Sequence, residues 1–315
     1  MNELAIEAVD LVHSYGDHWV LDGIGLAVGR GTVFALLGPN GAGKTTIIRI
    51  LATVIKADAG RARVAGFDVE GERHDVRKRI SLTGQYAALD ELQTGRENLV
   101  MMGRLRQLDR QTTRAQAAVL LERFDLAEAA DRRVGTYSGG MRRRLDLAAG
   151  LVTNPEVVFL DEPTTGLDPR GRQEVWDVIT GLSDAGTTIL LTTQYLEEAD
   201  RLAHRLAVIN HGRIVAEGSA DDLKQRVASK RLDLVLVDDT TYLAVAAELG
   251  RQVIHMHRPT STLGVATNGA APDVRAVLDR VDPSRDRIAS FAVHTASLDD
   301  VFMTLTGHDL EPTNV

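Results

Sequence analysis

The sequence predicts an α/β fold. A mostly parallel, mixed sheet carries helices on its faces, with a small antiparallel β subdomain at the N-terminal side. A helical lobe spans about 87–150, and a smaller α+β domain follows. Three observations carry this expectation. Continuous apolar runs, VFALLG (33–38), VVFLD (157–161), TTILLTT (187–193) and LAVIN (206–210), have the uniform hydrophobicity of strands buried on both faces. Helical patterns such as KTTIIRILATVI (44–55) and RQEVWDVITGL (172–182) alternate with them, as in a parallel sheet flanked by helices. The periodicity then restarts around LKQRVASKR (223–231), which divides the chain into domains over 1–226 and 227–315.

In chain order, LAIEAVDLV (4–12) and VLDGIGLAV (20–28) alternate like strands of an antiparallel sheet. VFALLG leads through a glycine loop into the helix from residue 44. From about 87 to 150 polar helices such as RAQAAVLLERFDL (114–126) replace strand signals, which marks the helical lobe. The parallel strands return at 157, 187 and 206. Beyond the boundary the pattern predicts strand 232–237, helix 241–249, strands 251–257 and 261–267, helix 272–281, strand 286–294 and helix 298–306. That β-α-β-β-α-β order is the split pattern of ferredoxin-like domains.

Composition narrows the function classes. The 315 residues suffice for one large or two moderate cores. A net charge of -8 argues against a nucleic-acid partner, which would favour a basic face. There is no cysteine, so disulfides and thiolate metal sites are excluded. No run of about 18 apolar residues is present, and the acidic N-terminus does not read as a secretory signal. Work at a membrane is therefore expected to need a partner chain. Lysine occurs only at 44, 56, 78, 224 and 230, which makes each one informative.

Lys44 lies in GPNGAGKT (38–45), which fits the phosphate-binding pattern G-x-x-x-x-G-K-[ST]. Gly38, Pro39, Asn40, Gly41, Ala42 and Gly43 form the loop whose backbone N–H groups converge on anionic oxygens at a helix N-terminus. Lys44 would reach the β/γ-phosphates of a nucleotide, Thr45 would place its hydroxyl on Mg²⁺, and Thr46 would extend the site into the helix. A second motif, VVFLDEP (157–163), ends a buried strand in two carboxylates. Asp161 is placed to hold Mg²⁺ through water, and Glu162 to polarise an attacking water. A bland alternative, a solvated strand end, accounts better for one acidic residue than for two. A third, YSGGMRRRLDLAAGL (137–151), sets Ser138, Gly139 and Gly140 before a helix. Alone it reads as a helix cap with a small-residue turn; beside the other two motifs it reads as a second anion site.

In combination these motifs resemble the ATP-binding-cassette (ABC) ATPases, and the resemblance implies more. In that family the SGG signature of one subunit closes over the γ-phosphate held by another, so a head-to-tail homodimer with ATP is implied. Tyr15 in HSYGD matches the aromatic that stacks on adenine. Gln85 in SLTGQYAALDE matches the glutamine that links Mg²⁺ and water to the helical lobe. Gly166, Leu167 and Asp168 match the loop that communicates across the dimer. Gln194, after the TTILLTT strand, stands where the γ-phosphate sensor is usually histidine; Tyr137 and Met141 stand where leucine and glutamine are usual. TGQYAALDELQTGRENLVMMGRL (83–105), LLTTQYLEEAD (190–200) and SLDDVFMTLTGH (297–308) look like the drug- and antibiotic-export branch, of daunorubicin-resistance type. This implies an ATPase at the cytoplasmic face of the membrane, bound to a multi-spanning permease subunit. Glu162, Gln194 and Lys44 would carry catalysis.

The alternative is a soluble ABC ATPase acting on DNA or ribosomes. No sustained heptad run lies between 45 and 138, and only one phosphate loop is present, which disfavours the chromosome and translation types. A regulatory subunit without turnover would be expected to lack the Asp161–Glu162 pair. The domain after 226 carries no nucleotide, metal or nucleophile motif and is expected to serve dimerisation or docking.

Overall fold

The computed structural model describes residues 4–84, 88–227, 230–294 and 297–306. It divides into two compact units, 1–220 and 221–315. In the first unit, β1 (Leu4–Tyr15) and β2 (His18–Gly29) form a long hairpin whose inward residues alternate with exposed ones. Next come β3 (Val33–Leu37), α1 (Lys44–Leu51), β4 (Ala59–Val64), β5 (Phe67–Asp68), α2 (Arg73–Arg79) and β6 (Ile80–Thr83). The helical lobe holds α3 (Gly95–Leu105), α4 (Arg110–Arg123) and α5 (Gly139–Gly150). The chain then returns through β7 (Val157–Asp161), α6 (Pro169–Asp184), β8 (Thr188–Thr193), α7 (Leu196–Leu202), β9 (Arg205–Asn210) and β10 (Arg213–Gly218).

Two sheets result. The antiparallel one has the order β2-β1-β4-β5, and the six-stranded one the order β10-β9-β3-β8-β7-β6. In the latter β9, β3, β8, β7 and β6 run parallel, and β10 joins as an antiparallel edge. Every residue of β3, β7 and β8 is buried. That is why these strands read as unbroken apolar runs. One core unites both sheets with α1: Ile6, Leu21, Phe34, Ile47, Leu51, Phe159 and Leu190 belong to it. Because β3, β7 and β8 are neighbours and parallel, their carboxyl ends lie side by side. Residues 38, 162 and 194 follow those ends, and Asp161 is the last residue of β7.

Chain signals set the lobe's helix starts. Thr94 and Glu97 form a reciprocal capping box at α3, Asp109 caps α4 and Ser138 caps α5. Gly95 lies against the Tyr137 phenol, so a side chain there would strike it.

The second unit opens with α8 (Ala220–Val227), followed by β11 (Arg231–Leu236), α9 (Asp239–Leu249), β12 (Val253–His257), β13 (Thr262–Ala266), α10 (Ala271–Val281), β14 (Ile288–His294) and α11 (Leu298–Thr306). Its sheet is wholly antiparallel with the order β12-β13-β11-β14. Helices α9 and α10 join β11 to β12 and β13 to β14 and pack on one face. They enclose Leu232, Leu234, Leu263, Tyr242, Val245 and Val281.

Candidate active site

The loop after β3 has a backbone that only glycine can follow. Gly41 and Gly43 adopt φ of 80° and 103°, and a Cβ on Gly43 would lie 2.8 Å from the Val20 carbonyl. The N–H of Gly38 donates to Thr193 O at 3.3 Å, which ties the loop to the end of β8. Gly43 caps α1 with no side-chain hydrogen bond, and no acidic residue occupies the first turn. The first N–H groups of α1 thus meet no competing anion from that turn, the condition for binding phosphate there. Pro39, Asn40 and Gly41 form the more exposed lip of the loop, while Ala42 and Thr46 are buried.

Lys44 is only 4% exposed. Its ammonium donates to Gly38 O at 2.7 Å and Pro39 O at 3.0 Å, and lies 3.8 Å from Glu162 Oε1. Burial pulls its pKa below the usual lysine range, opposed by the charges of Glu162 and Asp161. The two carboxylates anchor on hydroxyls. Thr45 Oγ1 donates to Asp161 Oδ1 at 3.0 Å, and Thr192 Oγ1 donates to the same oxygen at 2.6 Å. Glu162 takes a left-handed φ of 49°, and its N–H donates to both the hydroxyl (3.0 Å) and the carbonyl (3.2 Å) of Thr192. Thr165 Oγ1 donates to Glu162 Oε2 at 3.2 Å. Left-handed backbone in a non-glycine residue costs on the order of 1 kcal/mol, here offset by the paired bonds from Thr192. Lys44, Thr45, Asp161 and Glu162 therefore form one connected cluster.

The remaining predicted residues are placed as follows. Gln194 is half-buried, one residue beyond β8 and next to Thr193, whose carbonyl holds Gly38. Tyr15 ends β1 at the hairpin, 49% exposed, with the His13 ring against its edge at 4.8 Å. Gln85 lies outside the described residues. Ser138 accepts from Met141 N at 3.2 Å, so its hydroxyl caps α5. Gly139 and Gly140 admit Leu167 and Gly171, with hypothetical Cβ atoms meeting them at 3.5 Å. Among the described residues no hydrogen bond or ion pair joins 138–140 to 38–46 in the same chain. Asp168 caps α6, accepting from Gly171 N at 2.7 Å. Tyr137 is buried and donates its phenol to Ala129 O at 2.6 Å, which makes it an anchor of the helical lobe.

Sequence reasoning missed Thr192, the hydroxyl that serves both carboxylate residues. Its signal was a polar residue inside the strand run TTILLTT, two positions before Gln194. It also missed Glu198, which accepts from Thr164 Oγ1 (2.8 Å) and Trp176 Nε1 (3.1 Å) with no exposure. Burial raises the Glu198 pKa; hydrogen bonds from Thr193, Thr164 and Trp176 and the charge of Arg143 pull it back.

Comparison with known proteins decides the family. The chain is 49% identical over 316 residues to the daunorubicin resistance ATP-binding protein DrrA2 of Streptomyces coeruleorubidus, covering 99% of this chain and 98% of that one. It is 50% identical over 308 residues to the daunorubicin/doxorubicin resistance ATP-binding protein DrrA of Streptomyces peucetius, covering 96% and 93%. The profile of the ABC transporter family matches residues 21–165. The chain belongs to the ABC transporter family. It is an ATP-binding ATPase subunit of that family, and its cassette fold is shared with an ATP-binding cassette solved in its ADP conformation. That match has a TM-score of 0.66 and 26% identity, and covers 71% of this chain and 94% of the other. Among the described residues no helix is long and apolar enough to cross a membrane.

Proposed function

We propose that this ABC subunit hydrolyses MgATP to drive export of a hydrophobic drug or antibiotic through a separate permease, at the cytoplasmic face of the membrane. The observation that carries the chemistry is the Lys44–Glu162–Asp161–Thr45 cluster at adjoining strand ends. The export direction and cargo class rest on the drug-resistance names of the relatives that match over nearly the full chain.

The residues present fit the nucleotide and its metal. Glycine-only backbone at 41 and 43 and a start of α1 with no side-chain cap suit a phosphate. A hydroxyl and a carboxylate oxygen 3.0 Å apart, on Thr45 and Asp161, suit a hard cation that takes one or two protein oxygens. When bound, Mg²⁺ would neutralise charge on the phosphate oxygens. Residues 38–46 bind and orient the triphosphate, and Tyr15 stacks on the base. Lys44 exchanges its carbonyl partners for phosphate oxygens. Glu162, fixed from Thr192 and Thr165, orients and polarises water, and Gln194 bonds to the γ-phosphate. Gln85 links this site to the helical lobe. Catalysis is positioning and charge stabilisation.

The anion site at Ser138–Gly140 then acts in trans, in a head-to-tail homodimer. ATP binding favours the closed pair and hydrolysis favours opening, a two-state element biased by ligand. A groove of about 980 Å³ on α3 and α4, lined by Val100, Met101, Leu105, Arg96 and Arg104, offers apolar and cationic contacts for the permease. The ATPase unit is read as 1–226, six residues past the division between the two compact units, and 227–315, with ferredoxin-like strand order, serves dimerisation or docking.

The test is Glu162→Gln. Nucleotide affinity is expected to persist while turnover and drug efflux from cells carrying the chain and its permease fall by roughly two or more orders of magnitude. Undiminished turnover would remove Glu162 from its role; full turnover without efflux would remove the export reading.

A further inference from the structure

Arg143 and Asp146 form a buried ion pair on α5 that the hydrolysis chemistry above does not use. Both side chains are 8% exposed and meet at 3.2 Å, one helical turn apart. The guanidinium reaches three acceptors through two of its three nitrogens, while Nη2 is buried without a hydrogen-bond partner. Its Nε donates to Pro163 O at 2.7 Å, and Nη1 donates to Gly84 O at 2.6 Å and to Asp146 Oδ2. The other carboxylate oxygen of Asp146 accepts from Ala88 N at 3.1 Å. One pair on one helix thus grips the residue directly after Glu162 and two points, Gly84 and Ala88, between β6 and α3. The same helix begins at Ser138–Gly140.

Stability alone does not explain such a pair. Desolvating two charges costs several kcal/mol per ion, and apolar side chains of similar volume often do as well or better. What an apolar pair could not do is hold three backbone segments at fixed points. The planar fork of arginine is suited to that task, and a lysine ammonium is not.

We propose that Arg143 and Asp146 are positioning residues that lock the signature helix, the loop carrying Glu162 and the Gly84 and Ala88 anchors into one mechanical unit. Movement of the helical lobe against a second copy would then carry Glu162 into or out of alignment. This rests on the reading of Glu162 as the water-polarising group.

The experiment uses the full-length chain at saturating MgATP. Arg143→Lys keeps the charge and the pairing with Asp146 but cannot span both Pro163 and Gly84. Its kcat is expected to fall roughly tenfold or more, the scale of a small misplacement, with KM for ATP and affinity for a fluorescent ATP analogue within about twofold. Asp146→Ala strands a buried guanidinium and is expected to melt lowest. Arg143→Met/Asp146→Ala removes both charges; it should melt above Asp146→Ala while its kcat stays low. Wild-type kcat in Arg143→Lys, or recovery of kcat in step with melting temperature in the double variant, overturns the proposal. Should Arg143→Lys fail to fold, the double variant decides. Glu162→Gln in the same assay separates the two claims. Full turnover there removes the Glu162 reading, whereas loss there with full turnover in Arg143→Lys removes only the positioning role.

Discussion

Thr192→Val isolates the contact that joins the two carboxylate residues. The Thr192 hydroxyl is fully buried, donates to Asp161 Oδ1 at 2.6 Å and accepts from Glu162 N at 3.0 Å. Valine keeps the branched shape and removes both hydrogen bonds, of which the one to the charged acceptor contributes about 1.5–3 kcal/mol. Neither partner is left bare: Asp161 retains the Thr45 hydroxyl, and the Glu162 N–H retains the Thr192 carbonyl. The lower part of that range, about 1.5–2 kcal/mol, is therefore expected. For a unit of this size that is a fall of roughly 3–8 °C in melting temperature, at about 2–4 °C per kcal/mol. If the bond also aligns Asp161 in the transition state, kcat drops about tenfold, since 1.4 kcal/mol corresponds to one decade. Thermal melts and steady-state ATPase rates of Thr192→Val and Thr192→Ser measure both effects. Serine restores the hydroxyl and should recover turnover, keeping a stability deficit of about 1 kcal/mol from the lost methyl. Parent-like melting and turnover in Thr192→Val would refute the reasoning. A Thr192→Ser enzyme as slow as Thr192→Val would assign the effect to packing.

Gln194→Ala is expected to lose much of the turnover and Gln194→His to keep it. Because an amide does not ionise near neutral pH, only the histidine variant should add an acidic limb to the pH–rate profile, near pH 6–7; equal rates for Gln194→Ala and the parent would make Gln194 a turn residue. Tyr137→Phe removes the phenol donor to Ala129 O and should cost about 1 kcal/mol in denaturant unfolding with ATP affinity unchanged. An unchanged unfolding midpoint would show that the bond contributes nothing. Glu198 has its folded pKa raised, so its stabilising contribution is complete below the ordinary carboxyl value, about 4.3, and is lost as pH rises through the raised folded value. Glu198→Gln can still accept from Thr164 and Trp176 and does not titrate. Its melting temperature relative to the parent should therefore climb as pH rises above the ordinary carboxyl range, and a constant difference would count against a buried, titrating Glu198.

What the sequence showed and what it hid differ in physical kind. The phosphate loop was legible because its chemistry demands a backbone that only glycine follows at 41 and 43, so the residues are dictated locally. The parallel strands were legible because burial on both faces leaves unbroken apolar runs, and β7 begins and ends at the residues the pattern gave, 157 and 161. Boundaries slipped where local signals compete. The helix expected over 44–55 closes at Leu51, where Thr53 takes a left-handed φ of 62°. The short α2, RHDVRKR, gave no signal at all, since six of its seven residues are polar or charged and only Val76 is buried. Thr192, Glu198 and the Arg143–Asp146 pair were hidden for another reason. Each works through partners far away in sequence, and nothing in LLTTQ or RRRLD says which carbonyl or carboxylate will face it. A motif written in glycine records a backbone shape, whereas a buried polar contact records a meeting of segments, visible only after the sheet has brought the strand ends together. The residues that grip Asp161, Glu162 and Pro163 are of this second kind. The motifs that draw the candidate site together could therefore be read from the sequence, while the contacts around them, those of Thr192 and Arg143 above all, had to come from the fold.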